Sequence, residues 1–267
     1  MDRMSKWRAQ QETDLKAEEG WLSVAGLSWL AEGDNTIGSD PSCKVVLPSS
    51  APAALGVLTL KDGVVTLAVA SGANVTVDGK PASTVEMKSD ASGSPVKAKI
   101  GSITFMIIQR GKRIGVRMFD DNYPVRLHFT GLNWYPVKPS YVIKAKYVAY
   151  DTTRQISITN VLGDISMNAN PGYVEFTLDG KPCRLEAQAE DNGLFFNFAD
   201  TTSGVTTYAA GRFLDAPKPE NGVVVLDFNQ ATNPPCAFTT FATCPLPPKG
   251  NRLSVAVKAG EKIYHVH

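Results

Sequence analysis

The sequence predicts a mainly β protein: an N-terminal helix, then a β-sandwich, then an antiparallel β-barrel or sandwich. Three observations predict it. Between Asn35 and about Phe105 the chain is a series of short apolar runs of strand length separated by turn residues, as in KVVLP, GVLTLKDGVVTLAV and NVTVDGKPA. Asp-Gly steps at Asp62-Gly63, Asp78-Gly79 and Asp179-Gly180 stand between β-rich flanks, where glycine takes the positive φ that a tight hairpin turn demands. In the second half apolar and charged residues alternate with a period of two, which means one buried and one wet face.

Taken in order, residues 8–32 read as a helical opening, with Asp14, Glu18 and Glu19 among Leu15 and Ala17, and Gly20 stopping the pattern before Trp21. Residues 1–32 are therefore expected to be an N-terminal helical segment. Residues 33–118 follow as an all-β unit. At its end QRGKRIGVRMFDD carries Arg110, Lys112, Arg113 and Arg117, which read as a solvated strand edge, since Asp120 and Asp121 come directly after. Residues 119–267 form the third region. There Ile143, Ala145, Tyr147 and Ala149 alternate with lysines, and Cys183, Leu185 and Ala187 alternate with Arg184, Glu186 and Gln188. No repeat of propeller or solenoid length is visible.

Composition excludes several classes. Of 267 residues 43% are hydrophobic and 20% charged, enough to bury a core and keep a wet surface. A formal net charge of +1 offers no global field to a polyanion, so nucleic acid is not expected as a partner. The apolar stretch Trp21 to Leu30 is too short to span a bilayer, so no transmembrane segment is expected. The compartment is open: cytoplasmic, or exported with a signal removed. Four cysteines show no CxxC pair and no His-x(3–5)-His partner, so a structural zinc site has no standard spacing here. Cys236 and Cys244 sit close together in a proline-rich loop, and two readings stand: a disulfide, or two buried thiols.

The stretch GDNTIGSDPSCKVVLPSSAPAALGVLTLKDGVVTLAVASGANVTVDGKPAS, with KIGSITFMII after it, resembles a forkhead-associated (FHA) domain, a β-sandwich that reads phosphothreonine. The resemblance implies an FHA-like β-sandwich over residues 33–118. An FHA domain would need Gly-Arg where this chain has Gly38-Ser39, and Ser-x-x-His where it has Ser49-Ser50-Ala51-Pro52-Ala53. Phosphate recognition depends on such charge-assisted donors, so a phosphopeptide partner is not expected. Nearly end to end, and most plainly in DNTIGSDPS, HFTGLNWYPV, TTSGVTTYAAGRFL, DFNQATNPPCAF and CPLPPKGNRL, the chain is similar to a widespread bacterial family of unknown function. That resemblance implies an architecture and no reaction.

The chemistry-bearing residues gather between Asp200 and Glu261. If the strand LFFNFAD continues far enough, a period of two puts Asp200 on the face of Phe196 and Phe198. An ionised buried carboxylate needs a partner, and Arg212 is the natural one, through a bidentate fork. The same rule places Tyr208 on the face of Arg212 in TTYAAGRFL, and Asp227 beside Asn229 in VVVLDFNQ. The functional reading is a polar cleft that binds, and hydrolyses, a small polar or anionic ligand. Asp200 or Asp227 would lead the hydrolysis, and Tyr208, Arg212, Asn229, Asn233, Asn251 and Glu261 would line the cleft. The bland reading is a buried ion-pair network organising a proline-rich crossover. Two further classes stand beside it: a non-catalytic scaffold or protein-interaction module, and divalent-metal binding by Asp227, Glu261 and carbonyls. No other cofactor is evident.

Remaining motifs point nowhere specific. Ser203 lacks a Gly-x-Ser-x-Gly context, and His128, His265 and His267 offer no well-placed base for a triad. His265 and His267 would share one face of a terminal strand, a metal-capable geometry. Trp21, Trp29, Trp134 and Tyr135 read as packing anchors.

Overall fold

The computed structural model describes residues 3–264, which divide into two compact units, Ser5–Thr130 and residues 131 onward. It is mainly β, with an N-terminal helix and sheets stacked as sandwiches. Among the described residues no helix is long and apolar enough to cross a membrane.

Helix α1 (Arg3–Leu15) is shorter than the helical segment expected through residue 32. The chain turns at Gly20, where a Cβ would stand 2.4 Å from the Leu15 carbonyl oxygen, and a 3-10 turn at Trp21–Ser23 follows. From there VAGLSW forms strand β1 (Val24–Trp29), because pairing to a distant strand outweighs local helical bias.

The remaining strands of the first unit are β2 (Gly33–Gly38), β3 (Val45–Val46), β4 (Gly56–Lys61), β5 (Val64–Val69), β6 (Thr76–Val77), β7 (Lys80–Pro81), β8 (Thr84–Glu86), β9 (Lys97–Ile100), β10 (Ile103–Arg110) and β11 (Arg113–Asp120). One sheet runs β1-β11-β10-β9-β6-β7 and the other β3-β2-β4-β5-β8; the β2–β3 pair is parallel and every other pair antiparallel. Ile37, Leu58, Leu67, Phe105, Ile107 and Val116 lie in the core of this unit. The Asp-Gly steps behave as the turn chemistry requires: Asp62 and Gly63 have φ 51° and 82°, Asp78 and Gly79 have 50° and 72°. The basic stretch does not form a sheet edge, although Lys112 in its turn is exposed and Arg110 and Arg113 are half-buried. β11 lies between β1 and β10, and Arg117 is buried with its guanidinium 4.8 Å from the Trp21 ring centroid.

The second unit holds β12 (Val142–Thr159), β13 (Ile165–Leu178), β14 (Lys181–Glu186), β15 (Gln188–Glu190), β16 (Gly193–Phe198), β17 (Arg212–Pro217) and β18 (Val223–Asp227). They form a four-stranded sheet, β14-β13-β12-β18, and a three-stranded sheet, β15-β16-β17, both antiparallel. The β13–β14 hairpin turns on Asp179 (φ 49°) and Gly180 (φ 74°). Val174, Phe176, Leu185, Phe196, Phe198 and Phe228 form the core, with the Phe198 and Phe228 rings edge to face at 5.4 Å. The segment from Leu253 to Ala259 adds Val255, Val257 and Ala259 to that core, all buried. It lies beyond the last strand and carries main-chain carbonyls into the same interior.

Candidate functional site

Arg212 opens β17 and is fully buried, as is the side chain of Asp200. The two meet directly: Arg212 Nη2 donates to Asp200 Oδ2 at 2.9 Å. The bidentate fork expected from sequence does not form. Nη2 also donates to the Val257 carbonyl at 2.9 Å, and Nη1 donates to the carbonyls of Ala259 and, at 3.3 Å, Glu261. Residues 257, 259 and 261 present their carbonyls to the guanidinium along a segment that bends at Gly260 (φ 76°), so Nη1 and Nη2 together serve three carbonyls and the Asp200 carboxylate. Burial pushes the Arg212 guanidinium below its ordinary value, and the adjacent Asp200 charge works against that shift. The other oxygen of Asp200 accepts from Thr202 N and Oγ1 at 2.7 and 2.6 Å and from Val257 N at 3.3 Å.

Glu261 is buried on the far side of the same carbonyl row. Its carboxylate accepts from Asn233 N at 2.8 Å and from Asn233 Nδ2 at 2.7 Å, and Asn233 Nδ2 also reaches the Lys262 carbonyl. Asp200, Arg212, Asn233 and Glu261 are thus brought together through residues 257–262, mostly bonded to one another and to the main chain, while Arg212 Nε and Asn233 Oδ1 are buried without a partner.

The other predicted residues lie elsewhere. Asp227 ends β18 and caps the turn Phe228–Gln230: Oδ1 accepts from Asn229 N at 3.1 Å and Nδ2 at 2.9 Å, Oδ2 from Gln230 at 3.2 Å. Asn229 then clasps the Lys138 main chain, accepting from its N–H and donating to its C=O, each at 3.0 Å. Asn251 is a similar clasp, accepting from Glu186 N at 2.7 Å and donating to the carbonyls of Glu186 and Asn197 at 3.0 Å. Tyr208 shares no strand face with Arg212, because β17 starts only at Arg212. It sits in the preceding turn and donates to the Cys236 carbonyl at 3.0 Å. Cys236 and Cys244 are not joined by a disulfide. Asp227 and Glu261 each serve a different set of N–H donors, and among the described residues no group of three or more His, Cys, Asp or Glu side chains could hold a metal. His265 and His267 lie outside the described residues.

Sequence reasoning placed Glu186 on a wet face, yet it centres a second polar cluster. Its carboxylate accepts from Tyr150 Oη at 2.9 Å, Asn170 Nδ2 at 2.8 Å and Arg184 Nε and Nη2 at 3.1 and 2.5 Å. Burial works to raise this carboxyl, and the bonds from Asn170, Arg184 and Tyr150 outweigh it, so it sits below the usual range. The Arg184 guanidinium lies 3.4 Å from the Tyr173 ring centroid and that of Arg154 lies 3.7 Å from Tyr150. The Arg184-x-Glu186 spacing on one strand face was the available signal.

The first unit has an open hollow. Thr36, Val57 and Ala68 are cross-strand neighbours on β2, β4 and β5, opposite in direction to core-facing Ile37, Leu58 and Leu67. They floor a groove of about 530 Å³, inside the ~300–1,000 Å³ range of ligand sites. Ala54 and Ala70 keep the floor low. At Gly56 a Cβ would stand 2.2 Å from the Ala68 carbonyl oxygen, so only glycine lets the strands come this close. Among the lining residues Asp40 is the charged one. Ser42 Oγ and N both bond its Oδ1, at 2.6 and 2.8 Å, and hold the carboxyl below its ordinary range.

Residues 127–262 match a family described as a protein of unknown function (DUF1684). An uncharacterized protein of Haloarcula marismortui, known from a solution NMR structure, is 33% identical, with 51% of this chain and 78% of that chain covered and a TM-score of 0.43. A structure from a study of phosphothreonine-dependent FHA domain interactions is 16% identical, covering 35% of this chain and 92% of that one, with a TM-score of 0.25. A second FHA domain structure is 21% identical over 35% of this chain and 95% of its own, TM-score 0.24. No curated protein matches the sequence.

Proposed function

The chain belongs to the DUF1684 family of proteins of unknown function, and since membership assigns no reaction, we propose from its own side chains that it is a non-catalytic scaffold and protein-interaction module. The observation that carries this reading is the contrast between a closed interior and an open groove. Asp200 and Arg212, the strongest candidates for handling a substrate, have fully buried side chains bonded to each other and to the main chain. A hydrolytic pocket needs a carboxylate within reach of a substrate proton, and neither Asp200 nor Asp227 presents one that is not already accepting N–H bonds.

The groove on the first unit is the surface through which such a module would work. Its small apolar floor suits an extended protein segment with compact side chains, and Asp40 on its rim favours a basic residue in that segment. Sequence position supports the same view, since the loop that carries Asp40, Ser42 and Cys43 opens with Ser39, where a phosphothreonine-reading FHA domain would need arginine, and its Lys44 ammonium bonds the Asp34 carbonyl.

The test is site-specific photocrosslinking in the cell of origin with the full chain. A crosslinking side chain at Ala68 is expected to capture a defined protein that the same probe at exposed Val225 of the second unit does not, and capture is expected to weaken with Asp40→Lys. No capture at Ala68, together with a turnover signal from the purified chain that Asp227→Asn abolishes, returns the ligand-pocket reading instead.

A further inference from the structure

The Cys236 and Cys244 thiols take no part in the reading above. Cys236 lies in the 3-10 turn Pro235–Ala237, and its backbone N–H donates to Cys244 Sγ at 3.1 Å. Residues eight apart in sequence are thereby held with one sulfur against the other residue's main chain. The Cys236 Cβ is two bonds from that nitrogen, which puts the Cys244 sulfur within reach of the Cys236 side chain. Cys244 is buried and Cys236 half-buried, which exposes one sulfur to a reagent and keeps the other behind it. Prolines at 234, 235 and 245 stiffen both ends of the loop and limit how far the two residues separate. Tyr208 closes the group: its hydroxyl donates to the Cys236 carbonyl, burial pushes its phenol up, and negative charge on the two thiols acts in the same direction.

We propose that Cys236 and Cys244 form a reversible intramolecular disulfide that closes the 236–244 loop of the second unit on itself. The oxidant is a low-molecular-weight disulfide of the glutathione class. The Cys236 thiolate attacks one sulfur of that disulfide, breaking its S–S bond, forming a mixed disulfide and expelling a thiolate. The Cys244 thiolate then attacks the Cys236 sulfur and expels the second thiolate. Two protein thiols lose two hydrogens, one protein S–S bond forms, and the oxidant leaves as two thiols, so atoms and electrons balance.

The loop carries load at both ends. Phe238 is buried with its ring 5.1 Å from that of Tyr264, and the Cys244 carbonyl accepts from Val161 N at 3.0 Å, at the turn that joins β12 to β13. Closing the loop restrains both contacts, so oxidation stiffens this end of the unit.

The experiment exchanges the reduced full chain against oxidised glutathione and reads a non-reduced digest by mass spectrometry, with Cys236→Ser and Cys244→Ser in parallel. The peptide carrying both cysteines is expected to become lighter by two hydrogens, whereas Cys244→Ser carries glutathione on Cys236 and Cys236→Ser, whose remaining thiol is buried, takes up none. The Tm of the oxidised chain is expected to rise by several degrees, and neither variant shows the gain. Glutathione adducts on Cys236 or Cys244 of the unsubstituted chain, or two thiols still titratable at full oxidant, overturn the proposal. That readout comes from the unsubstituted chain, so it holds even where a serine variant fails to fold.

Discussion

Both units bury polar side chains, Asn35 and Arg117 in the first among them, but the first also turns a polar set outward along a groove. In the first, Thr36, Asp40 and Ser42 line an open groove above an apolar sandwich core. In the second, Asp200, Arg212, Asn229, Asn233, Asn251 and Glu261 are all buried, and they bond strands and crossovers to one another. The difference teaches that a dense run of charged and amide residues marks a site only where some of their bonding capacity points outward. In the second unit most of that capacity is spent on the main chain and on neighbouring side chains, and the atoms left over, Arg212 Nε and Asn233 Oδ1 among them, are buried. A segment such as 253–261, which joins the core without pairing as a long strand, has carbonyls that no ladder satisfies, and buried side-chain donors replace the missing strand.

The comparison can be broken most forcefully at Arg212. Arg212→Met leaves the Asp200 carboxylate buried without its cation and strands the carbonyls of Val257 and Ala259. It is expected to destabilise the second unit by about 3–5 kcal/mol, measured by urea unfolding, with hydrogen exchange in the first unit unchanged. Asn251→Ala comes next. It removes three hydrogen bonds between the end of β14 and β16 and should cost about 2–3 kcal/mol by the same measurement.

A smaller effect separates the Glu186 cluster. The folded-state carboxyl lies below its unfolded value, so the stability it contributes is present above the unfolded pKa of about 4.3 and is lost as pH falls through the lowered folded value. The stability difference between the unsubstituted chain and Glu186→Gln should therefore shrink on acidification below about pH 4.3, and a difference independent of pH would remove the charged bonds from the account. The smallest effect is expected in the first unit. Ala68→Trp fills the groove from an exposed position and should change stability by no more than about 0.5 kcal/mol while abolishing capture of a partner.

Much of the fold was legible because its signals are local. Asp62-Gly63, Asp78-Gly79 and Asp179-Gly180 each carry the turn geometry in two residues, and the alternation of Val174, Phe176, Cys183 and Leu185 needs only a continuing strand. The helical reading of residues 16–32 failed because β1 is held by β11, a partner some ninety residues on that no local pattern reveals. The polar set was legible as to residue type and convergence of Asp200 on Arg212, and illegible in geometry. A period of two holds only while a ladder continues, and β16 ends at Phe198, β17 begins at Arg212 and β18 ends at Asp227. Tyr208 and Asn229 therefore lie in turns, where face counting has no meaning. The edge reading of Arg117 failed likewise, since strand order is a tertiary fact. The groove left no trace, because small residues such as Ala54, Ala68 and Ala70 signal nothing until they are neighbours.

The central claim is that the buried charges of the second unit hold the fold together. A double-mutant cycle on Asp200→Ala and Arg212→Met, read as unfolding free energy, tests it most directly. Each single change is expected to destabilise strongly, and the double variant to be less damaged than their sum by about 1–3 kcal/mol, since each charge is costly chiefly when left alone. Single variants that match or exceed the unsubstituted chain in stability, as removal of strained functional groups often produces, would contradict it.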